Sequence, residues 1–484
     1  MEFRRASALA LGLFACPALG LAQQSAPDEE TIVTDPVVIQ GDKIDRSLSQ
    51  TTAGTTIIPG EEASALSSFN IDSVVENEAN ILANEGFGLP AIRGIDSTSG
   101  ARPGITVGSQ PRTPILVDDV ATPSGDSSTI SHLSTWDVGS VEVVRGPQPT
   151  STGRNAFGGA IRIYTNDPVF DFEAAARVGF FSADGTVTSA FMLNVPLLED
   201  QVALRVTGEG SLGDSYVDVA PDPGFGDPEE ERFGRLRGKL LFEPNDDFRL
   251  LLTADYLEND RPLQGFVTNV ENLTIEGPFP FFFRSSYEEV EQFTIQGRAE
   301  YAINDNATVV ARAAFQNNEL RFVDTQEVLD LGFFQIASGE TGFDKSQVEL
   351  EAFLRLEDLG LLRRGLFGVI FNREEEDGFG TNAFNFLVDG EINNTGIYGE
   401  AEISADPLLP GLSVIAGGRL EIDNRFRNAQ APAGVPASSG RFEEVVFLPK
   451  LGLRYDFNES SAVGYTYSRG FRNGGVDVDL GAAL

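Results

Sequence analysis

The stretch VEVVRGPQPTSTGRNAFGGAIRIYT, Val141 to Thr165, sets an alternating strand, a basic turn with glycine and proline, a glycine-rich segment and a second alternating strand in immediate succession. On both flanks apolar residues recur at every second position, Val141 and Val143, then Ile161 and Ile163, the period of a strand. Gly146, Gly153, Gly158 and Gly159 lie between these strands, and no helix follows them. That placement suits tight turns and close strand packing. It excludes a nucleotide-binding loop, which needs a helix N-terminus to receive the phosphate. Three arginines, Arg145, Arg154 and Arg162, crowd into this unit although the chain carries 73 acidic and 35 basic residues. A buried charge is costly unless paired, so such a cluster calls for carboxylates nearby.

The rest of the chain supplies the setting. Its 484 residues exceed one ordinary domain and leave room for two or more units or one large barrel. A hydrophobic content of 41% excludes simple disorder, and a net charge of -38 excludes a nucleic-acid partner by repulsion. Residues 1–22 read as a cleaved secretory signal: Arg4 and Arg5, a short apolar run, then Gly20 and Ala22. The single cysteine, Cys16, falls inside it, and Phe14 fits a lipid-attachment site poorly, so disulfide and thiolate chemistry are not expected. Beyond the signal no apolar run reaches the roughly 18 residues of a membrane helix, so membrane entry would require a closed sheet.

Residues 23–50 form a polar, extended lead with β-prone patches, Thr31-Ile32-Val33-Thr34 and Val37-Val38-Ile39, on either side of Asp35-Pro36. Such a segment is able to add as a strand to another protein's sheet edge, or to serve as a plain linker. Residues 51–168 read as a compact mixed α/β unit, with a helix beginning near Asn70 that carries Ile71, Val74, Val75 and Ile81 at helical spacing. From residue 169 to 484 strands alternate strictly. Phe293, Ile295 and Tyr301 oppose Thr294, Gln296, Arg298 and Glu300; Val348, Leu350 and Leu354 oppose Glu349, Glu351 and Arg355; Leu451, Leu453 and Phe457 oppose Arg454 and Asp456. Periodicity alone suits a soluble sandwich as well as a membrane barrel. Loop lengths decide for the barrel: short turns at 199–201, 245–247, 304–306 and 458–460 alternate with long loops at 214–232, 260–288, 318–342, 377–393 and 426–441. About 13 strands are countable. Single-chain bacterial barrels have even strand numbers, and enclosing a folded domain calls for something like 22, so residues 169–484 are expected to be the N-terminal part of a barrel lacking about nine strands.

Several segments now carry a resemblance. Val141-Glu142-Val143-Val144-Arg145-Gly146-Pro147 and Gly153-Arg154-Asn155-Ala156-Phe157-Gly158-Gly159-Ala160-Ile161-Arg162-Ile163 resemble the plug signature of TonB-dependent outer-membrane receptors. Ala91-Ile92-Arg93-Gly94-Ile95 and Pro114-Ile115-Leu116-Val117-Asp118-Asp119 are similar to earlier plug strands of that family, with Asp119 where a glycine is usual. Tyr467-Ser468-Arg469-Gly470-Phe471-Arg472-Asn473-Gly474-Gly475 resembles a barrel strand and loop edge. The segment 148–152 lacks the family's usual glycine and leucine–tyrosine pair. The resemblance implies a mainly β fold, a transmembrane antiparallel barrel with an N-terminal plug in its lumen, in the outer membrane of a Gram-negative bacterium. It implies a monomer, embedded in outer-membrane lipid, that imports a scarce extracellular ligand, foremost a ferric siderophore. A TonB-type protein powered by proton-motive force would supply the work by pairing with Thr31 to Thr34 and Val37 to Ile39. No covalent chemistry, cofactor, resident metal or nucleic acid is implied.

On this reading Arg93, Glu142, Arg145 and Arg154 anchor the plug, with Glu349, Glu351, Glu400 and Glu402 as possible partners on the wall. Gly94, Gly146, Pro147, Gly153, Gly158 and Gly159 shape plug turns. Plug loop 97–113, with Arg102 and Arg112, is the candidate ligand contact. The aromatic run PFPFFFRSSY (278–287) stacks on an organic ligand or belongs to the membrane-interface girdle. His132, the sole histidine, reads as a plug-surface residue. The pairs Asp118-Asp119 and Asp477-Asp479 read as solvated turns rather than calcium ligands. A vitamin or oligosaccharide importer is the nearest alternative. A passive porin or adhesin would keep working after collapse of the proton-motive force, and an acidic hydrolase would need two carboxylates about 5 to 9.5 Å apart in a cleft.

Overall fold

The structure, a computed structural model, describes residues 38–44, 46–65, 71–84, 88–95, 112–122, 134–153, 156–182, 185–214, 218–219, 229–263, 274–275, 286–324, 329–330, 335–336, 339–381, 386–430, 437–458 and 461–471. Strands dominate them, and two sheets carry the architecture. The smaller has five strands: β1 (Gly54–Pro59), β2 (Ile115–Val117), β3 (Val120–Ala121), β4 (Val138–Arg145) and β5 (Gly159–Thr165), in the order β1-β4-β5-β2-β3. All neighbours are antiparallel except β5 and β2, which are parallel. Every residue of β5 is buried, as befits a strand covered on both faces.

Two short helices, α1 (Gly60–Ala65) and α2 (Ile71–Glu76), pack Ala63, Ile71, Val74 and Val75 onto Val141, Val143, Ile161 and Ile163 of this sheet. Each buried valine or isoleucine here contributes about 1.5–3 kcal/mol by leaving water. The expected helix from Asn70 is thus present but stops early. Asn80 adopts a left-handed φ of 63°, and Ile81 opens a strand, Ile81–Asn84, instead of a further helical turn. Ile81 still reaches the same apolar core.

The larger sheet holds thirteen strands: β6 (Glu173–Phe180), β7 (Val187–Leu198), β8 (Val202–Asp214), β9 (Glu230–Asn245), β10 (Phe248–Leu263), β11 (Ser286–Asn304), β12 (Ala307–Asp324), β13 (Gly339–Leu359), β14 (Leu362–Gly380), β15 (Phe386–Ser404), β16 (Leu412–Gln430), β17 (Ser438–Asn458) and β18 (Ser461–Ser468). Each pairs antiparallel with the next in sequence. Several strands run longer than the loop boundaries in the sequence implied. The segments expected as loops near 318–342, 377–393 and 426–441 are largely hairpin, because antiparallel pairing continues past the membrane where both faces are polar, as at Glu374 to Asp377 opposite Asp389 to Ile392.

The faces settle the choice between sandwich and barrel. Phe293, Ile295, Tyr301, Val348, Leu350, Leu451, Leu453 and Phe457 point outward and are exposed, whereas Glu349, Glu351, Arg312 and Arg454 point inward and are buried. This inversion of a soluble fold is what a lipid surroundings requires, and it defines a polar lumen.

Candidate functional site

The plug sheet sits against the inner face of the wall, and charged contacts join the two. Asp118 and Asp119 form the turn between β2 and β3, both with positive φ, 47° and 68°. Asp tolerates that region better than most residues because its short side chain finds partners locally. Here those partners span both domains. Asp118 accepts from the Thr165 backbone N–H at 2.8 Å and the Thr165 hydroxyl at 2.7 Å, and pairs with Lys239 of β9 at 3.1 Å. Asp119 accepts from the Tyr164 hydroxyl at 2.7 Å and from Arg298 of β11 at 3.0 Å, while Arg312 of β12 donates to its backbone carbonyl. Burial raises the Asp119 carboxyl, but Arg298 and Arg312 outweigh it and hold the pKa below the ordinary value. The expectation of a solvated turn at Asp118-Asp119 is therefore corrected: these aspartates dock the plug.

Two further aspartates do the same along this wall. Asp137 takes Arg205 of β8 on both oxygens, at 2.9 and 2.5 Å. Asp167, just past β5, pairs with Lys239 at 2.9 Å and Arg249 of β10 at 2.7 Å. Burial acts to raise Asp167 as well, and Lys239 and Arg249 override it. From β8 to β12 the wall thus meets the plug aspartates with cations, beside one carboxylate, Glu209 of β8, that accepts from the Ser134 hydroxyl.

On the adjoining strands β13 to β15 the polarity of the contacts reverses. Residues 38–44 and 46–50 lie inside the lumen: Val38–Ile39, expected to pair with a TonB-type partner, pairs instead with Arg46–Ser47, Ile39 and Ile44 are buried, and Ile44 packs on Val310, Phe353, Leu366 and Tyr398. Lys43 pairs with Glu351 of β13 and lies 4.7 Å from the Tyr398 ring centre. Arg46 meets Glu400 at 2.8 Å and Glu402 at 3.3 Å, both on β15, and its own Asp42 at 2.9 Å. Burial lowers the Lys43 ammonium, and for Arg46 the three carboxylates more than offset burial and push its pKa up.

The residues singled out in the opening stretch have other tasks. Arg145 donates to Thr56 at 2.6 Å, to the Ala79 carbonyl at 3.1 Å, and pairs with Glu78 at 3.3 Å, all plug partners. Glu142, fully buried, accepts the backbone N–H groups of Gln40 at 2.7 Å and Gly41 at 3.2 Å. Burial pushes its carboxyl up to about 7 against the pull of Arg162. Among the described residues, then, Arg145 and Glu142 brace the plug and its N-terminal lead, and the wall is met by Lys43, Arg46 and the four aspartates. No sequence signal marked Lys43 or Arg46, because nothing local distinguishes them from solvated charges. Arg162 donates to Ser151 at 3.1 Å and Thr152 at 2.5 Å, and its guanidinium leaves no room for a side chain at Gly41.

Arg93 and Gly94 form an exposed turn after the strand Gly88–Ile92, both with positive φ. Gly146 closes its turn by donating to the Gly158 carbonyl at 2.9 Å, at a φ of 92° that a side chain would strain. A Cβ on Gly159 would lie 2.1 Å from the Val144 carbonyl, so β4 and β5 approach only with glycine there. Pro147 accepts from Ser468 of β18 at 3.0 Å, Gly153 lies under the Arg419 guanidinium, and Gly158 abuts Thr113. The Arg112 carbonyl accepts from Phe157 and Gly158. Thr31 to Val37, Arg102, His132, Arg154 and Asp477 to Asp479 lie outside the described residues, as does most of 278–287.

A transmembrane strand wall enclosing a charge-docked plug defines a plugged outer-membrane barrel. Residues 47–160 match the "TonB-dependent Receptor Plug Domain" and residues 233–482 match "TonB dependent receptor-like, beta-barrel". The chain belongs to the TonB-dependent receptor family, whose members are outer-membrane proteins of Gram-negative bacteria. Among curated relatives it is 30% identical over 255 residues to the pesticin receptor of Yersinia pestis, a match that covers 51% of this chain and 35% of that protein. With the ferrioxamine B receptor of Salmonella typhimurium it shares 26% identity over 243 residues, 49% of this chain and 32% of the relative. The matches thus span about a third of each relative's length. The ferric yersiniabactin uptake receptor FyuA of Yersinia pestis has a similar fold, with TM-score 0.73 and 18% identity over 90% of this chain and 68% of that one. The alcaligin outer-membrane receptor FauA of Bordetella pertussis gives TM-score 0.63 and 16% identity over 89% and 65%.

Proposed function

We propose that this chain is part of a TonB-dependent importer that carries a ferric siderophore across the outer membrane. One observation carries the reading: a folded plug is held in the lumen by buried ion pairs from both regions of the wall, so passage requires outside work rather than diffusion. The similar receptors for ferrioxamine B and for ferric yersiniabactin favour an iron-chelate ligand over a vitamin or oligosaccharide. In this reading residues 23–50 lead from the periplasm into the plug, 51–168 are the plug, and 169–484 belong to the barrel. Thr31, Ile32, Val33, Thr34 and Val37 receive the TonB-type partner as an added strand. Arg102 and Arg112 on the outward plug loop contact the ligand, Arg93 and Arg154 support the plug, and the protein acts as a monomer in lipid. The ligand passes without covalent change, so the protein is not an enzyme.

Deleting residues 31–39 from the full-length gene tests the mechanism. Ligand uptake is expected to vanish while binding to the cell surface persists; unchanged uptake rejects energised transport.

A further inference from the structure

The short turns mark the periplasmic end of the barrel, and they differ in chemistry. Residues 245–247 and 304–306 are tight and wholly polar. The turn between β15 and β16, residues 405–411, instead reads Ala-Asp-Pro-Leu-Leu-Pro-Gly. Leu408 is 87% exposed, more than any other large apolar side chain among the described residues, and Leu409 is exposed beside it. The adjoining turn between β13 and β14 adds exposed Leu359 and Leu361, and the Ser404 N–H donates to the Leu361 carbonyl at 2.7 Å.

The framework of the turn enforces this exposure. Ala405 donates to the Leu412 carbonyl at 2.8 Å, and Leu408 and Leu409 both donate to the Ala405 carbonyl, at 2.9 and 3.0 Å. Asp406 accepts from the Gly411 N–H at 2.7 Å and pairs with Arg363 of β14 at 2.9 Å. Pro407 and Pro410 fix φ on either side of the leucines. Gly411, at a φ of 85°, accepts from the Asp456 N–H of β17 at 2.9 Å, and a Cβ there would lie 2.4 Å from the Asp456 carbonyl. Strands on both sides thus hold the turn, and its leucines face the surroundings rather than folding back on the barrel. Just above, Ile403, Val414 and Leu453 pair directly across β15, β16 and β17 as an outward row of the lipid-facing wall. Leu361, beside Ser404, continues that apolar surface toward the turn. An exposed apolar patch continuous with a lipid-facing surface fits a bilayer and not water. We propose that residues 405–411, with Leu359 and Leu361, form an interfacial foot that sinks into the periplasmic leaflet of the bilayer and sets the depth of β13 to β16. The foot rests on the barrel alone and not on the transport reading.

The test needs no ligand. In the receptor expressed from its full-length gene, otherwise cysteine-free and reconstituted into phosphatidylethanolamine–phosphatidylglycerol vesicles, a nitroxide is attached at Leu408→Cys. Its collisions with oxygen, which concentrates among acyl chains, are compared with those of a water-soluble nickel chelate. The oxygen-to-nickel ratio is expected to exceed that of Asp305→Cys, on a polar turn, by roughly fivefold or more, and to approach that of Leu453→Cys on the lipid-facing wall. Heat-modifiable mobility verifies the barrel in each variant, and Leu409→Cys gives a second reading of the same turn. Ratios at 408 and 409 no higher than at 305 would overturn the foot. Nickel access that is free in vesicles and lost only in native outer-membrane fragments would overturn it too, by assigning the turn to a protein partner. Leu408→Asp with Leu409→Asp is expected to lower the ratio at Leu361→Cys by roughly twofold or more, and an unchanged ratio there would remove the depth-setting role.

Discussion

The plug and its lead meet two adjoining regions of the wall through contacts of opposite sign. From β8 to β12, Arg205, Lys239, Arg249 and Arg298 face plug aspartates; from β13 to β15, Glu351, Glu400 and Glu402 face Lys43 and Arg46 of the lead. A chain with net charge -38 therefore meets its plug aspartates with cations, and bulk charge predicts neither region. Both regions double most of their contacts. Arg205, Arg249 and Arg298 keep wall carboxylates of their own in Glu173, Glu243 and Glu300. Lys43 and Arg46 of the lead likewise meet carboxylates already paired with Arg312, Arg364 and Lys450 of the wall. Lys239 differs, because Asp118 and Asp167, both on the plug side, are its carboxylates.

The largest expected effect lies in the first region. Asp118→Ala with Asp167→Ala leaves the fully buried Lys239 without a carboxylate and should cost about 3–5 kcal/mol of plug docking. Protease release of the plug from detergent-solubilised receptor measures it. Lys43→Gln with Arg46→Gln in the lead should cost less by the same assay, about 1.5–3 kcal/mol, since Arg312, Arg364 and Lys450 still serve the wall carboxylates. Equal losses would erase the distinction between the two regions.

A smaller effect depends on pH. The Glu142 carboxyl is raised to about 7, so its folded state prefers the protonated form. That contribution is complete below the unfolded carboxyl value of about 4.5 and is lost as pH rises through about 7. Plug thermal unfolding should therefore shift down over this window, and Glu142→Gln, which cannot ionise and keeps one of the two acceptor oxygens that face Gln40 and Gly41, should flatten that component. An identical pH profile in the variant would rule Glu142 out as its source. Smallest of all is Arg373→Ala on the β14 hairpin, where the Arg373–Glu375 pair at 2.6 Å is open to water on both sides. No measurable change in unfolding midpoint is expected.

Much of this arrangement was legible beforehand. The β4–β5 unit, its glycine turns and the thirteen-strand texture all follow from local periodicity and turn chemistry. The anchors were not legible. Arg145 carries the signature and turned inward to Glu78 and Thr56, whereas Asp118 and Asp119 looked like an ordinary turn and proved to dock the plug. The acids near the wall were foreseen as partners, but for plug arginines rather than for Lys43 and Arg46.

By itself the sequence determined that residues alternate between two environments, where turns are tight, and which family signature the plug carries. These are properties of neighbours along the chain, set by backbone sterics and a side-chain period of two. Only the tertiary structure decided which face meets lipid and which charges pair. Arg46 and Glu400 are 354 positions apart, and their meeting depends on the register of every intervening strand. A charge has no sequence-local preference for one carboxylate over another; burial at a shared depth of the lumen supplies it.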